Sequence, residues 1–425
     1  MTTTGNDSHA EGGLPLTSAE PSPTDVVGLS GPPQLPFPRP DVLDVAPLYR
    51  TLQERSPVTL VRTPAGDLAW LVTGYLEAKA LFADPRLARS APDPSQAARI
   101  SDSALLGGSM GDPATEATRH AQLRRLLTPA FSARRMQQLR EHVGDLVADL
   151  LDRLAVQGRP ADLHEALSFP LPVLVICELL GVPSDDRDRF RSWSEGASRL
   201  DDRAAATDSL AHLTGYMRQL VSAKRASPGE DVISDLLAAV EGPSDDVDEQ
   251  VAGLAAMLLF AGHETTVTRI DFGTLWLLTN PEQAAALRAD PDRLAPFAVE
   301  EILRVSAPSN GGELPRYAHA DIDIAGITIR TGDAVLLACS AANRDPALCD
   351  DPDAFHVTRL PTQHLAFGHG PRYCLGASLA RVELRAVFTA LPLRLPTLRL
   401  AVPIHRLRLR ADLLTGGLTE LPVTW

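Results

Sequence analysis

At 425 residues, with 44% apolar and 22% charged side chains and a formal net charge of −14, the chain has a globular composition and enough length to bury a large core. The acidic balance excludes nucleic acid as its main partner. Cys177, Cys339, Cys349 and Cys374 form no CxxC pair and no zinc-type spacing, which excludes a disulfide or zinc scaffold and points to a reducing cytoplasm.

Residues 1–40 are rich in Pro, Ser, Gly and Thr, with Pro32 and Pro33 followed by Pro36, Pro38 and Pro40, and read as a disordered tail. One domain is expected over residues 41–425, because no linker-like composition interrupts the segments that follow. VTLVRTP (58–64) and DLAWLVTG (67–74) alternate apolar and polar positions about Pro64, Ala65 and Gly66 and predict a β-hairpin. From 76 to 303 the periodicity is mostly helical. Within it, ATRHAQLRRLLTPAFSARRMQQLR (117–140) carries Arg119, Arg124, Arg125, Arg134, Arg135 and Arg140 and no acid. A helix there sets His120 and Arg124 one turn apart, a pair suited to the propionate carboxylates of a haem, and leaves the other arginines as a dock for an acidic protein. A solvated basic helix is the plainer reading. Cys177 lies in the apolar run VLVICELLGV and reads as core.

LLFAGHETTVTRIDFGTLWLL (258–278) belongs to a helix of about 25 to 30 residues, roughly 40 Å long at ~1.5 Å per residue. The longest uninterrupted apolar run, 251–262, is about a dozen residues, short of the roughly twenty a bilayer needs, so no membrane anchor is expected. Gly262 costs the helix about 1 kcal/mol relative to Ala, and Thr265 can bond the Ala261 carbonyl and loosen the ladder. That would open a groove where Glu264 and Thr265 relay protons to bound oxygen. FAVEEILRVSAP then places Glu301 and Arg304 three residues apart on one helical face, a spacing also commonplace on solvated helices.

Strand-like pieces return between 318 and 337 (IDIAG, ITIRTGDAVLL), Cys349 lies in the loop ALCDDPD, and RLRLRADLLTGGLTELPVTW (406–425) reads as a second hairpin. No repeat occurs and no GxGxxG follows a strand, which excludes a solenoid and a dinucleotide fold. Ahead of that hairpin lies FGHGPRYCLGASLAR, 367–381. Gly368, Gly370 and Gly376 allow sharp turns and close approach to a flat macrocycle. Cys374 stands just before an amphipathic helix whose first N–H groups can hold a sulfur anion. For Phe, three Gly and Cys at this spacing, chance expectation is on the order of 10⁻⁵ per chain. The loop reads as a thiolate ligand for haem iron.

Together these residues resemble the soluble bacterial members of the cytochrome P-450 superfamily over nearly the whole chain, 41–425. The resemblance implies a mainly α fold with small β-sheets (α+β), one large domain enclosing haem b, in a cytoplasmic monomer. Phe367, Gly368, Gly370, Arg372, Cys374 and Gly376 match the haem-binding loop, with Arg372 standing where many members have His. Ala261, Gly262, Glu264, Thr265 and Thr266 match the oxygen-activation helix, and Glu301 with Arg304 the buried ion pair, Arg359 in FHVTR being its third partner. His120 and Arg124 match the propionate-binding helix, and Arg316 in LPRYA a further propionate arginine. GDPATEATRH departs from the proline and acid that relatives usually carry before that His, which leaves the start of the helix open.

The implied chemistry is insertion of one atom of O2 into an organic substrate, by hydroxylation or epoxidation. Electrons would come from NAD(P)H through a ferredoxin and a ferredoxin reductase, since the chain has no flavin or iron–sulfur module. The wording GGELPRYA, SAANRDP and ELPVTW resembles enzymes that decorate macrolides and other polyketides in actinobacterial antibiotic pathways, which implies a large hydrophobic substrate. The resemblance assigns substrate contacts to Met110, Ala256, Phe260, Asn310, Gly311, Gly312 and Leu414, the last with Thr415. Oxidative phenol coupling on the same scaffold, a peroxide-driven oxygenase and a haem sensor or carrier are the alternatives; Glu264 and Thr265 weigh against the last two.

Overall fold

The structure, a computed structural model, describes residues 31–425 apart from 104–106, 184–185, 201, 241–243, 307–313, 411 and 414. Its helices in chain order are α1 (Pro47–Arg55), α2 (Tyr75–Ala83), α3 (Glu116–Leu127), α4 (Ala133–Gln157), α5 (Pro170–Leu180), α6 (Arg187–Ala197), α7 (Arg203–Ala226), α8 (Val232–Ala239), α9 (Ser244–Thr279), α10 (Pro281–Ala289), α11 (Pro291–Val305), α12 (Cys339–Ala342) and α13 (Ala377–Arg394). The strands are β1 (Val58–Arg62), β2 (Leu68–Val72), β3 (Leu87–Ala88), β4 (Ala161–Asp162), β5 (Arg316–Ala318), β6 (Ile322–Ile324), β7 (Ile327–Ile329), β8 (Ala334–Leu337), β9 (Arg399–Leu400) and β10 (Pro422–Thr424). A single π-helical turn, His164–Ser168, joins β4 to α5.

Side-chain alternation decides how the first sheet is used. β1 and β2 pair antiparallel from Val58↔Val72 to Arg62↔Leu68, the hairpin expected, and β2 then runs parallel to β8 in the order β1-β2-β8-β5-β3. Ala69, Leu71, Ala334 and Leu336 point into a cluster with Tyr49 and Leu52 of α1, whereas Val72, Val335 and Leu337 point into another with Tyr75 and Leu81 of α2. The sheet is therefore apolar on both faces and covered on both. β6 and β7 form a separate hairpin turned by Ala325 (φ 49°) and Gly326 (φ 76°), the paired positive angles a two-residue turn needs.

The main core belongs to the helices, and α9 runs through it. Val251, Ala255, Leu259, Ile270, Phe272 and Leu275 are buried there, and the helix packs against α5, α7, α11 and α13. At 36 residues α9 is longer than expected, because Asp245 and Asp246 in its first turn complement the helix dipole and carry it outward beyond the apolar run. Its length and its most apolar stretch would suit a bilayer, yet most of that stretch is buried within the protein, where neighbouring helices pack against it.

Two expectations change. The last ten residues of the expected tail are structured: Leu35 and Phe37 are buried, Leu35 N–H bonds Arg62 O, and Phe37 meets the Tyr49 ring at 5.0 Å, so two apolar anchors among the prolines pin the segment against β1. Residues 1–30 lie outside the described residues. The C-terminal hairpin is reduced to a bridge, Leu409↔Leu418, while β10 pairs instead with β4 and β9. α9 is continuous through Gly262, and a Cβ there would come within 3.3 Å of Ile176 Cδ1, so the glycine also admits the close approach of α5.

Candidate active site

The loop bearing Cys374 is fixed before its helix begins. Gly368 (φ 70°) and Gly370 (φ 69°) occupy the left-handed region, and a Cβ on Gly370 would come within 3.0 Å of Ala83 Cα, so this glycine lets the loop press on α2. Gly376 differs: its φ is −81° and a Cβ would meet only Phe131, at 4.0 Å. Gly376 is the N-cap of α13, a position that favours glycine, and its open side leaves room for a ligand to approach the loop. Cys374 N–H donates to Phe367 O at 2.9 Å, which orients the residue, and its side chain is exposed. Burial of its surroundings pushes the thiol up, opposed by the N–H groups of Gly376 and Ala377 and by Arg124 and Arg381. Those donors are the start of α13, as expected from the loop–helix junction. The Phe367 ring lies under Arg381 at 4.6 Å, and Glu300 holds that guanidinium through two bonds of 2.7 and 2.8 Å.

A cationic group gathers near this loop. α3 begins at Glu116, which settles the open start of the propionate-type helix, and it carries half-buried His120 and Arg124 on one face. Arg124 Nη1 donates to Tyr373 O at 2.8 Å, next to the cysteine. Arg316 is buried in β5 with its guanidinium over the Phe82 ring at 5.0 Å, and Arg372 pairs with Glu116. Arg89, which the sequence reading passed over, joins them: burial, then Arg316 and Arg372, lower its pKa to about 10, and its Nη1 is buried without a partner among the described residues. Burial followed by Arg372 and Arg124 likewise lowers the pKa of His120. Among the described residues Glu116 is the carboxylate that stands against these cations, so the donor set fits a ligand that brings carboxylates of its own.

On α9, Ala261 and Thr265 are exposed although Leu259, His263, Glu264 and Val267 around them are buried. Ala261 and Thr265 form an exposed strip at i, i+4 on an otherwise buried part of the helix, and α9 packs on α13, which follows the cysteine loop. Small exposed side chains on α9, an accessible thiol at the start of α13 and cations that outnumber the carboxylate beside them are a donor set that fits a haem. Thr265 Oγ1 donates to Ala261 O at 3.0 Å, as expected. The Glu264 carboxyl receives Ser198 Oγ at 2.6 Å and Thr415 Oγ1 at 2.8 Å, and burial pushes its pKa up against those two bonds. A buried carboxyl raised in this way can carry a proton nearer neutral pH.

Glu301, Arg304 and Arg359 come together as expected, with Arg304 Nε and Nη2 on the carboxylate at 2.8 Å each and Arg359 Nε at 3.0 Å. Among the expected substrate contacts, Met110 is exposed beside Arg89, Phe260 is half-buried and Ala256 is buried in the main core. Asn310, Gly311, Gly312 and Leu414 lie outside the described residues. Within the basic segment Arg119, Arg125, Arg134 and Arg140 are exposed, while Arg135 is tied to Asp235 at 2.6 Å.

His263, next to Glu264, is 1% exposed, and burial, then Arg191, His164 and Arg410, lower its pKa to about 3. Between that value and the unfolded value of 6.5 the unfolded chain binds a proton that the folded chain refuses. The stability involved is present above pH 6.5 and drains away as pH falls toward 3, by up to about 1.4 kcal/mol per pH unit. His263→Phe should therefore flatten the wild-type fall in chemical-denaturation stability between pH 6.5 and 5; unchanged slopes would show that the histidine is not held neutral.

Comparison with known proteins adds a lineage to this geometry. A family model described as Cytochrome P450 matches residues 202–395. Pentalenolactone synthase of Streptomyces exfoliatus is 47% identical over 400 residues, covering 92% of this chain and 99% of that protein. Mycinamicin IV hydroxylase/epoxidase of Micromonospora griseorubida is 40% identical, covering 96% of this chain and 100% of the relative. Among solved structures, a substrate-free epoxidase of the polyene macrolide antibiotic pimaricin superposes with a TM-score of 0.83 at 42% identity, covering 92% of this chain and 99% of that one.

Proposed function

The chain belongs to the cytochrome P450 family and is a monooxygenase, and from that premise we propose that it oxygenates a late intermediate of an antibiotic-type natural product, macrolactone polyketides first and pentalenolactone precursors second. The observation that carries the reading is the accessible Cys374 thiol, with Ala261 and Thr265 also exposed on α9, in a chain 40 to 47% identical to enzymes named for such products.

Haem bound by Cys374 supplies O2 activation, the thiolate pushing electron density that favours O–O cleavage. The protein's own residues do the rest. Arg89, His120, Arg124, Arg316 and Arg372 would hold the propionates and fix the ring in its plane. The thiolate is stabilised by the Gly376 and Ala377 N–H groups, which also limit its basicity. Thr265 Oγ, released from Ala261 O, positions a water on the exposed strip of α9, and Glu264 supplies protons from behind it. Exposed Arg119, Arg125, Arg134 and Arg140 offer a basic dock for an acidic electron donor, for which a ferredoxin served by an NAD(P)H-dependent reductase is the fitting choice.

Thr265→Ala should leave NAD(P)H oxidation running while product per NAD(P)H falls about tenfold, the balance appearing as peroxide. Wild-type coupling in that variant would remove the hydroxyl from the proton path. For the substrate class, macrolactones should shift the haem from low to high spin and yield products gaining one oxygen. A panel that does neither, while pentalenolactone precursors do, would move the assignment to the second class.

A further inference from the structure

Beside the cysteine loop stand three polar side chains that lie outside the Glu301 ion pair: Glu300 of α11, Arg381 of α13 and His364 of the segment leading into the loop. Arg381 Nε and Nη2 donate to the two carboxylate oxygens of Glu300 at 2.7 and 2.8 Å, a planar fork on a planar acceptor. His364, whose side chain is almost wholly buried, takes its tautomer from the backbone: Nδ1 accepts the Ala366 N–H at 3.3 Å, so Nε2 carries the proton and donates to Glu300 Oε2 at 3.2 Å. Burial pushes the Glu300 carboxyl up, yet the bonds from Arg381 and His364 hold it down at about 2, so carboxylate and guanidinium face each other charged at neutral pH. Their side chains are 25% and 13% exposed, and a charge partly withdrawn from water acts further than one on the surface.

Arg381 meets the loop at two points. Its guanidinium lies 4.6 Å from the centre of the Phe367 ring, and Nη1 donates to Tyr373 Oη at 3.3 Å. Phe367 O accepts the Cys374 N–H at 2.9 Å and Tyr373 precedes Cys374 in the chain, so both contacts fall on residues joined to the cysteine, one by a hydrogen bond and one by a peptide bond. Cys374 itself lies within electrostatic reach of the guanidinium.

We propose that Arg381 is a tuning cation for Cys374: held against Phe367 and Tyr373, its charge stabilises the anionic sulfur and raises the electron affinity of iron bound there, and Glu300, positioned by His364, sets how much of that charge the sulfur feels. The inference rests on Cys374 as the haem ligand. Iron that takes an electron makes the site more negative, so a nearby cation favours the reduced form and a nearby anion opposes it. Glu300 and His364 are positioning residues, since they act through Arg381.

The test is an equilibrium redox titration of the haem-loaded protein without any electron-donor protein, with the reduced, CO-bound spectrum recorded for each variant. Arg381→Gln should lower the ratio of reduced to oxidised haem at a fixed potential about tenfold, or about 59 mV for a one-electron couple. Glu300→Gln, which keeps an amide oxygen for the guanidinium, should raise that ratio about threefold. Arg381→Lys keeps the charge and loses the fork, and should stay within about twofold of wild type. A packing role predicts instead that Arg381→Lys follows Arg381→Gln and that Glu300→Gln shifts in the same direction as both. Either result, or unmoved potentials in variants that keep the red-shifted band, would overturn the proposal. Should Arg381→Gln fail to load haem, Glu300→Gln decides: a raised ratio supports the tuning role, and an unchanged or lowered one ends it. Cys374→Ser separates the two levels: a band that survives in it removes the thiolate itself, whereas a band lost there and kept with unmoved potentials in the Arg381 and Glu300 variants removes only the tuning.

Discussion

Cys374→Ser is expected to abolish the red-shifted band of the reduced, CO-bound protein and to cut monooxygenase turnover by at least about 10³-fold, equivalent to roughly 4 kcal/mol of barrier. The reason lies in the ligand's charge. The Cys374 side chain is exposed at the start of α13, with the Gly376 and Ala377 N–H groups and the Arg124 and Arg381 guanidinia in position to stabilise an anion once metal displaces the proton. A serine hydroxyl in the same place keeps its proton and cannot push electron density through iron to the O–O bond. The loop itself should survive, because Cys374 N–H still bonds Phe367 O and Gly368 and Gly370 keep their turns. Cys177→Ser, in the buried core, and Cys349→Ser are the controls and should leave the band in place. A Cys374→Ser protein that kept it would remove the thiolate from the site.

Arg304→Ala should cost about 3–5 kcal/mol, because it strands the Glu301 carboxylate in a site where both side chains are almost fully buried. Arg304 does more than neutralise. Its Nη1 donates to Asn343 O at 3.0 Å and Pro352 O at 2.6 Å, and Nη2 to Ala354 O at 2.9 Å, so one guanidinium ties α11 to the segment that leads to the cysteine loop. Arg359 and the His356 N–H remain on Glu301, at 3.0 Å each, and Arg359 Nη2 keeps a 3.3 Å bond to Ala354 O, but Asn343 O and Pro352 O lose their bonds from Arg304. Against a typical total stability of about 5–15 kcal/mol, the loss should show as a lowered denaturation midpoint and poor haem retention. Arg304→Lys should fall only slightly less far, since an ammonium cannot form the bidentate pair together with three carbonyl bonds. Retention of wild-type stability in Arg304→Ala would mean that the ion pair is decorative.

What could be read from the sequence was local. The cysteine loop, the Glu264–Thr265 pair and the Glu301–Arg304 spacing each declare themselves within a few residues, because one turn of backbone determines their chemistry. The β1–β2 hairpin was legible for the same reason, alternation on either side of a Pro-Ala-Gly turn. Long-range partners were not legible. Arg89 reaches the cationic group from just beyond a two-residue strand, Ser198 and Thr415 reach Glu264 across 66 and 151 positions, and His164 reaches Asp271 across 107. No periodicity encodes such meetings. β10 was misassigned because a hairpin is the cheapest partner in sequence, while tertiary packing gave it β4 and β9 instead. The packing role of Gly262, admitting Ile176, was not legible because it depends on a helix about ninety residues away. The substrate side was least legible of all, since its small and glycine-rich segments carry no fixed spacing.

The most direct measurement is turnover of a macrolactone or pentalenolactone precursor under ¹⁸O2 with a ferredoxin, its reductase and NAD(P)H. A haem-thiolate monooxygenase predicts one product oxygen from O2, none from water, and loss of that product in Cys374→Ser. Product lacking the label, or a coupled product that has lost hydrogen and gained no oxygen, would contradict it.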